Sequence, residues 1–448
     1  PGLPEGQLDL DSQGDSNMQQ IAIEAASIAL LHKPLEDLIQ EEGLAQLNNE
    51  IELPLINVLA EMEFSGIQVD LEGLKRLRDR LESEVSNVRK KIHQLAGQEF
   101  NVNSTKQLQQ VLFTDLNLEP RKKTKTGFST DAQTLEKMKG DHPIIEELLE
   151  YREVEKLRST YGQGLLNEVG SDERIRATFH QTVTATGRLS SVSPNLHNIP
   201  VRTEKGKVFR EVFVAQNNHR LLVADYNQIE LRCIAHLSSD PGLINAFNDG
   251  QDIHTATAAQ VFGVNDADVT KAQREKAKMV SYGLAYGMEA YGLAQRLGIE
   301  NKEAAKILND YFSAFPSVKE YMDKAVNQAK EKGFTETLFG RKRKIPELKS
   351  SNSRVRGAAE RQAMNAGIQG LAADIFKVAL VNLNKRLKDD NLDSAIILQV
   401  HDEVILECPM DELAHAKELT LEEMESAFDL KVPLEVHMSS GVTWAEAK

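Results

Sequence analysis

Two cysteines among 448 residues, Cys233 and Cys408, provide neither a disulfide framework nor a zinc-ligand pattern, and both stand in apolar stretches. No run of 18 apolar residues and no signal peptide is present, so the expectation is a soluble, cytoplasmic chain without a membrane partner. An excess of base is missing too. With 68 acidic residues against 53 basic ones the net charge is −15, which argues against a general coat for nucleic acid. The bases nevertheless cluster. Arg341-Lys342-Arg343-Lys344 is a dense run followed by Arg354, Arg356 and Arg361, and Lys205, Lys207 and Arg210 form another. The acids gather elsewhere, at 36–52, 145–155 and 411–426, leaving the basic clusters free to track phosphates. The length suits two to four domains with sizeable cores.

What is present is organised around Leu221-Leu222-Val223-Ala224-Asp225. Four apolar residues read as a buried strand with a carboxylate at its exit, and Leu231, Ile234 and Ala235 then follow at helical spacing. Downstream, Ala395 to Val400 and Val404 to Leu406 read as two more buried strands joined by His401-Asp402-Glu403. Tight hairpin turns favour Gly or Asn; acids at the tip point to function instead. If the strands of Asp225 and Asp402 are neighbours, two hard oxygen ligands converge as a pair of Mg²⁺ ions requires, with Mn²⁺ able to substitute.

A third element is the run from Arg274 to Gly287. Arg274, Lys278, Tyr282 and Tyr286 are spaced by four, a stripe along one helix face. Cations followed by aromatics suit a nucleotide, with charge for the phosphates and rings for base and sugar. Gly283 and Gly287 each cost a helix about 1 kcal/mol relative to Ala, a cost that close approach of something flat would justify. A solvated basic face merging into a core aromatic face is the plainer explanation of the same stripe.

DYNQIELR at 225–232, the RxxxKxxxYGxxYG helix and QVHDEV at 399–404 resemble motifs A, B and C of the family A DNA polymerases. TATGRLSSVSPNLHNIPVR at 184–202, DIHTATA at 252–258 and NAGIQGLAAD at 365–374 extend the likeness from about residue 50 to the C-terminus. Gly367 and Leu371 depart from it, standing where relatives more often have Pro and a small hydroxyl residue.

The resemblance implies an α+β right-hand fold with an antiparallel palm sheet, helical fingers and a helical thumb. It implies template-directed addition of deoxynucleoside triphosphates to a primer 3′-hydroxyl, with primer–template DNA as partner. Asp225, Asp402 and the Tyr226 carbonyl would hold two Mg²⁺, with Glu403 as a helper near the primer-side ion. Arg274, Lys278 and His254 would meet the triphosphate, Lys278 also acting in catalysis. Gln228, Glu230 and Tyr282 would line the nucleotide, Glu230 as a gate against a ribose 2′-hydroxyl. Arg188, Gly283, Tyr286, Arg361, Asn365, Gln369, Gln399 and His401 would hold the primer–template end. A monomer in a bacterial cytoplasm, close to the nucleoid, is the expected setting.

Along the chain, residues 1–17 read as a polar, flexible start, and 18–48 as one or two helices. In proofreading relatives this region ends a 3′–5′ exonuclease domain whose last helix carries a Tyr and an Asp. Met18 to Leu31 has neither, so a remnant without proofreading is expected. Leu71, Leu74, Leu77, Leu81, Val85, Val88, Ile92 and Leu95 form the seam of a long helix, with Asp70 as N-cap and Gly97 as stop. Residues 143–161 supply its partner, and the basic loop Arg121-Lys122-Lys123-Thr124-Lys125 lies between them, as in a thumb that grips duplex phosphates. The resulting division is 1–48 remnant, 49–165 thumb, 166–251 first part of the palm, 252–376 fingers and 377–448 second part of the palm. Two other functions fit parts of this pattern: a two-metal nuclease, which has no need of the 274–287 stripe, and a catalytically inactive DNA-binding clamp.

Overall fold

In the computed structural model, residues 12–124, 127–199 and 204–448 are described. Lys125, Lys205 and Pro200-Val201-Arg202 of the 184–202 stretch figured in the sequence reading; Lys125 and 200–202 lie outside the described residues, as does the side chain of Lys205.

The centre is a four-stranded antiparallel sheet, ordered Ala395–Val400, Glu403–Pro409, His219–Tyr226, Val436–Gly441. The first three are buried along almost their whole length, which is why they read as unbroken apolar runs rather than as alternation. Glu403 lies directly opposite Asp225, and Val404 opposite Ala224, so the two acid-bearing strands are neighbours as expected. Helices Leu53–Ser65 and Leu413–Glu425 pack on this sheet, and one hydrophobic core runs from it into the helical parts on either side.

The long helix is Leu71–Ala96. Asp70 accepts from the Gly73 N–H, and Gly97 ends the helix at φ +69°, as both residue types favour. Its buried seam, Leu74 to Ile92, meets the Ile144–Lys156 helix and the turns that follow it through Gln163. Between 253 and 389 the chain is mostly helical, interrupted by a short hairpin of Phe334–Glu336 and Lys342–Lys344. Ser353–Asp389 is a single helix of 37 residues and continues through position 376. By composition it is apolar enough to cross a bilayer, but 72% of its apolar window is buried inside the protein, as in a core helix. Gly367 on it leaves room for Tyr321, whose hydroxyl a Cβ would meet at 2.5 Å, and Leu371 is fully buried.

At the start the structure differs from the expectation. Residues 12–17 belong to the Ser12–Glu41 helix rather than to a flexible tail, and that helix exposes Met18, Ile21, Ile28, Leu30 and Leu35.

Candidate active site

The cleft is built where the Asp225 strand ends. Asp225 is partly buried, and the chain then turns through Gln228, which adopts φ +57° without being Gly. Such a conformation costs about 1 kcal/mol or more and needs outside support. Arg232 supplies it: Nε donates to the Asn227 carbonyl at 2.8 Å, Nη1 to the Pro433 carbonyl and Nη2 to Glu435, both at 2.5 Å. Its side chain is fully buried and lies 4.6 Å from the Phe247 ring centre. Sequence reading quoted Arg232 as the end of a motif and assigned it no role. The pinned turn carries Tyr226, whose N–H donates to the Asp402 carbonyl at 3.2 Å and whose side chain points away, donating to the Met424 carbonyl.

Asp402 sits at the tip of the neighbouring hairpin, after His401 at φ +57°. Gln399 donates to the His401 carbonyl at 2.6 Å and braces that turn. Burial pushes the Asp225 carboxyl up to about 6, with Glu403 and then Glu230 adding repulsion. Burial also raises Asp402, and the charges of Glu230 and Asp225 act in the same direction. The site therefore favours added positive charge. Two hard carboxylate oxygens from adjacent strands suit Mg²⁺, which takes most of its remaining ligands from water and phosphate. Among the described residues no group of three or more His, Cys, Asp or Glu side chains is arranged to hold a metal. Asp225 and Asp402 would therefore fit an ion whose remaining ligands come from elsewhere.

Glu403, expected as a helper near the metal, is 1% exposed and accepts from the Trp444 indole N–H at 2.9 Å and from Lys448. With its oxygens occupied in this way, its influence is exerted through charge on Asp225. Neither Trp444 nor Lys448 was visible as a partner in the sequence.

A chain of contacts joins Asp402 to the helical side of the cleft. Arg188 Nη2 lies 3.5 Å from Asp402 Oδ1 and 2.5 Å from Glu230 Oε1. The Tyr286 hydroxyl donates to the same Glu230 oxygen at 3.0 Å. Tyr286 caps the Lys271–Ala285 helix, where Arg274, Lys278 and Tyr282 share a face. Gln369 closes the end of that helix by donating to the Ala285 carbonyl at 3.1 Å.

The two glycines have internal reasons. The helix stops where Gly287 takes φ +70°, and a Cβ there would lie 2.2 Å from Asn365 Nδ2. At Gly283 a Cβ would crowd Met288 at 3.3 Å. Close approach of the protein itself is enough to account for Gly287, while at Gly283 the neighbour is the flexible Met288 side chain.

Arg274 is engaged with Asp252 at 2.6 Å, and that pairing holds the Asp252 carboxyl far below the usual range. Lys278 has no carboxylate partner among the described residues. The His254 and Tyr282 rings lie 5.5 Å apart. Burial lowers His254 to about 4, and Arg274 and Lys278 nearby act in the same direction. Arg361 pairs with Glu289 at 2.6 Å. His197, which sequence reading passed over, brings its ring within 5.9 Å of His401.

Buried polar atoms without a partner gather here: Arg188 Nε, His254 Nδ1, Asn365 Oδ1 and Gln399 Oε1. An orphaned buried group costs about 1–3 kcal/mol, a cost that a partner supplied from outside the chain would relieve. The basic run at 341–344 behaves otherwise. Arg341 binds Glu52 and Asp374, Lys342 binds Glu42, Arg343 reaches Gln362, and Lys344 is the most exposed of these.

The sequence pattern of DNA polymerase family A matches residues 71–446. The chain belongs to that family. It is 48% identical over 426 residues to DNA polymerase I of Caldicellulosiruptor bescii, covering 94% of this chain and 50% of that protein. To DNA polymerase I of Geobacillus stearothermophilus it is 47% identical over 432 residues, covering 96% and 49%. Its structure resembles the POL domain of Pol1 from M. smegmatis in complex with DNA primer–template and dNTP, with TM-score 0.91 and 45% identity over 96% of this chain and 76% of that one. The fold is therefore the family's right-hand polymerase fold, and the chain spans about half the length of the curated polymerases it matches.

Proposed function

We propose that this chain adds deoxynucleoside triphosphates to a primer 3′-hydroxyl in template-directed order, by two-metal-ion nucleotidyl transfer. The observation that carries the reading is the unbroken contact path Asp402–Arg188–Glu230–Tyr286, which brings the paired carboxylates and the nucleotide-facing helix to one cleft. Asp225, Asp402 and the Tyr226 carbonyl hold the ions. When bound, they supply charge that favours the ionised primer oxygen and the departing pyrophosphate. Lys278 meets the triphosphate directly, and Arg274 joins it on exchanging Asp252 for phosphate. His254 donates a hydrogen bond. Gln228, Tyr282 and Glu230 border base and sugar. Arg188 turns from Glu230 and Asp402 toward the minor-groove edge of the terminal pair, where acceptors common to all base pairs report shape. Gly283, Tyr286, Arg361, Asn365, Gln369, Gln399 and His401 seat the primer–template end.

The functional parts follow the division at 48, 165, 251 and 376, the last lying along a continuous helix. On this reading the chain acts as a monomer, in a bacterial cytoplasm close to the nucleoid, and does not proofread. The test is a labelled primer–template incubated with Mg²⁺ and four deoxynucleotides. Stepwise, template-ordered lengthening is expected. Shortening would point to a nuclease, and a gel shift without extension to an inactive clamp.

A further inference from the structure

Arg188 reaches Glu230 and Asp402 from the 184–188 loop, so its usefulness depends on how that loop is seated. The loop's own bonds are few: Thr184 Oγ1 donates to the Arg188 carbonyl at 2.5 Å, and the Gly187 N–H to the Thr184 carbonyl at 3.3 Å. Beneath it runs the Arg341 side chain. A Cβ on Gly187, which sits at φ +83°, would lie 2.7 Å from Arg341 Cδ and Nε. Two side-chain bonds and one backbone bond fix Arg341. Nε donates to Asp374 at 2.6 Å, Nη2 to Glu52, and the backbone N–H to Thr337 Oγ1 at 3.2 Å. Thr337 in turn donates to the other Asp374 oxygen at 2.6 Å, and Lys377 to Glu52 at 2.8 Å. Asp374 and Lys377 are fully buried, so two cations and two carboxylates form a closed, charge-balanced set. Gln181, just before the loop, binds the same Glu52 carboxylate at 2.7 Å.

We infer that Arg341 is a positioning residue: clamped between Glu52 and Asp374, it is the floor on which the 184–188 loop rests, and it sets where Arg188 stands against the primer end. The inference rests on the polymerase reading above. A lysine keeps the charge but lacks the planar fork that spans two carboxylates, so Arg341→Lys lets the floor shift without opening the core. A displacement of about 1 Å at a reacting centre costs up to about a hundredfold in rate, and a partial shift of Arg188 should cost roughly tenfold.

The experiment is a double-mutant cycle on single-turnover nucleotide incorporation, using the whole chain as parent, Arg341→Lys, Arg188→Ala and the double variant. Primer–template affinity and thermal stability are measured alongside. The expected result is a roughly tenfold loss in Arg341→Lys with affinity within about twofold, and under about twofold further loss when Arg188 is already absent. A merely structural role would instead multiply: the full factor would persist in the Arg188→Ala background. That outcome, or an Arg341→Lys protein as fast as the parent, overturns the inference. Should Arg341→Lys not fold, Thr337→Val, which removes the hydroxyl bracing Asp374 and the Arg341 N–H, is read in the same cycle by the same criterion. A parent that extends nothing overturns the polymerase reading and this inference together; a parent that extends with multiplicative losses overturns this inference alone.

Discussion

Glu230→Ala is the most searching change to the cleft. The Glu230 residue is 4% exposed, and one of its oxygens accepts from both Arg188 and Tyr286. It is therefore held in one place and fills a fixed volume. A ribonucleotide's 2′-hydroxyl forced against a packed side chain costs about 1–3 kcal/mol, or roughly five- to 150-fold in selection. Alanine removes that volume, so ribonucleotide incorporation relative to deoxynucleotide should rise by that factor. Glu230→Gln separates bulk from charge, because it keeps the volume and one acceptor oxygen. Its selectivity should stay within about twofold of the parent, while it shares with alanine the loss of charge that holds Arg188. The assay is competitive incorporation of one ribo- and one deoxynucleotide opposite the same template base, for parent and both variants. If alanine rejects ribonucleotides as well as the parent does, Glu230 does not border the sugar. If glutamine admits them as readily as alanine, charge rather than bulk is the gate.

Asp225→Asn and Asp402→Asn should each abolish primer extension while leaving primer–template affinity, read by gel shift, largely unchanged. With Asp225 raised to about 6, the folded chain binds more protons than the unfolded one between pH about 4 and 6, so its metal-free stability should fall as pH rises through that window. Melting curves in chelator should show the Asp225 share of that fall, worth at most roughly 3 kcal/mol, as a shallower decline in Asp225→Asn than in the parent, since the raised Asp402 carboxyl still contributes. Tyr282→Phe should turn a protein that accepts dideoxynucleotides readily into one that rejects them about ten- to a hundredfold, because an unpaired polar group at the sugar costs about 1–3 kcal/mol; equal selectivity in a competition assay would mean that Tyr282 does not face the sugar. A mispaired 3′ end given Mg²⁺ and no nucleotide should keep its full length, since Met18 to Leu31 carries neither Tyr nor Asp; shortening that follows the purified protein would reveal a nuclease site.

The palm strands were legible because burial on both faces leaves unbroken apolar runs at 221–224, 395–398 and 404–406. The Leu71–Ala96 helix was legible at both ends because an N-cap Asp and a left-handed Gly are local signals. Periodicity also placed Arg274, Lys278 and Tyr282 on one face, but carried through Gly287 it ran past the end of the helix at Ala285. The Phe334–Lys344 hairpin escaped because its strands are three residues each and carry charge rather than alternation. Partners distant in sequence were the least visible. Glu52, Arg341 and Asp374 lie hundreds or tens of residues apart, and a run of four bases looks the same whether it faces water or locks a core.

That last difference bears on how the cleft works. A count of cations beside the motifs suggests a basic groove waiting for phosphate. Instead Arg188 is held by Glu230 and Asp402, Arg274 by Asp252 and Arg361 by Glu289, while Lys278 has no carboxylate partner among the described residues. Where a paired arginine exchanges its carboxylate for a nucleotide or DNA, what it contributes to affinity is the difference between two ion pairs rather than the whole of one. The partly exposed Arg274–Asp252 and Arg361–Glu289 pairs are worth about 1 kcal/mol or less, which keeps their exchange nearly balanced and readily reversed. The carboxylates also hold the guanidinium groups in place at the cleft wall before any substrate arrives. In a chain with 15 more acids than bases, pairing of this sort lets arginines line a cleft without a strongly positive surface.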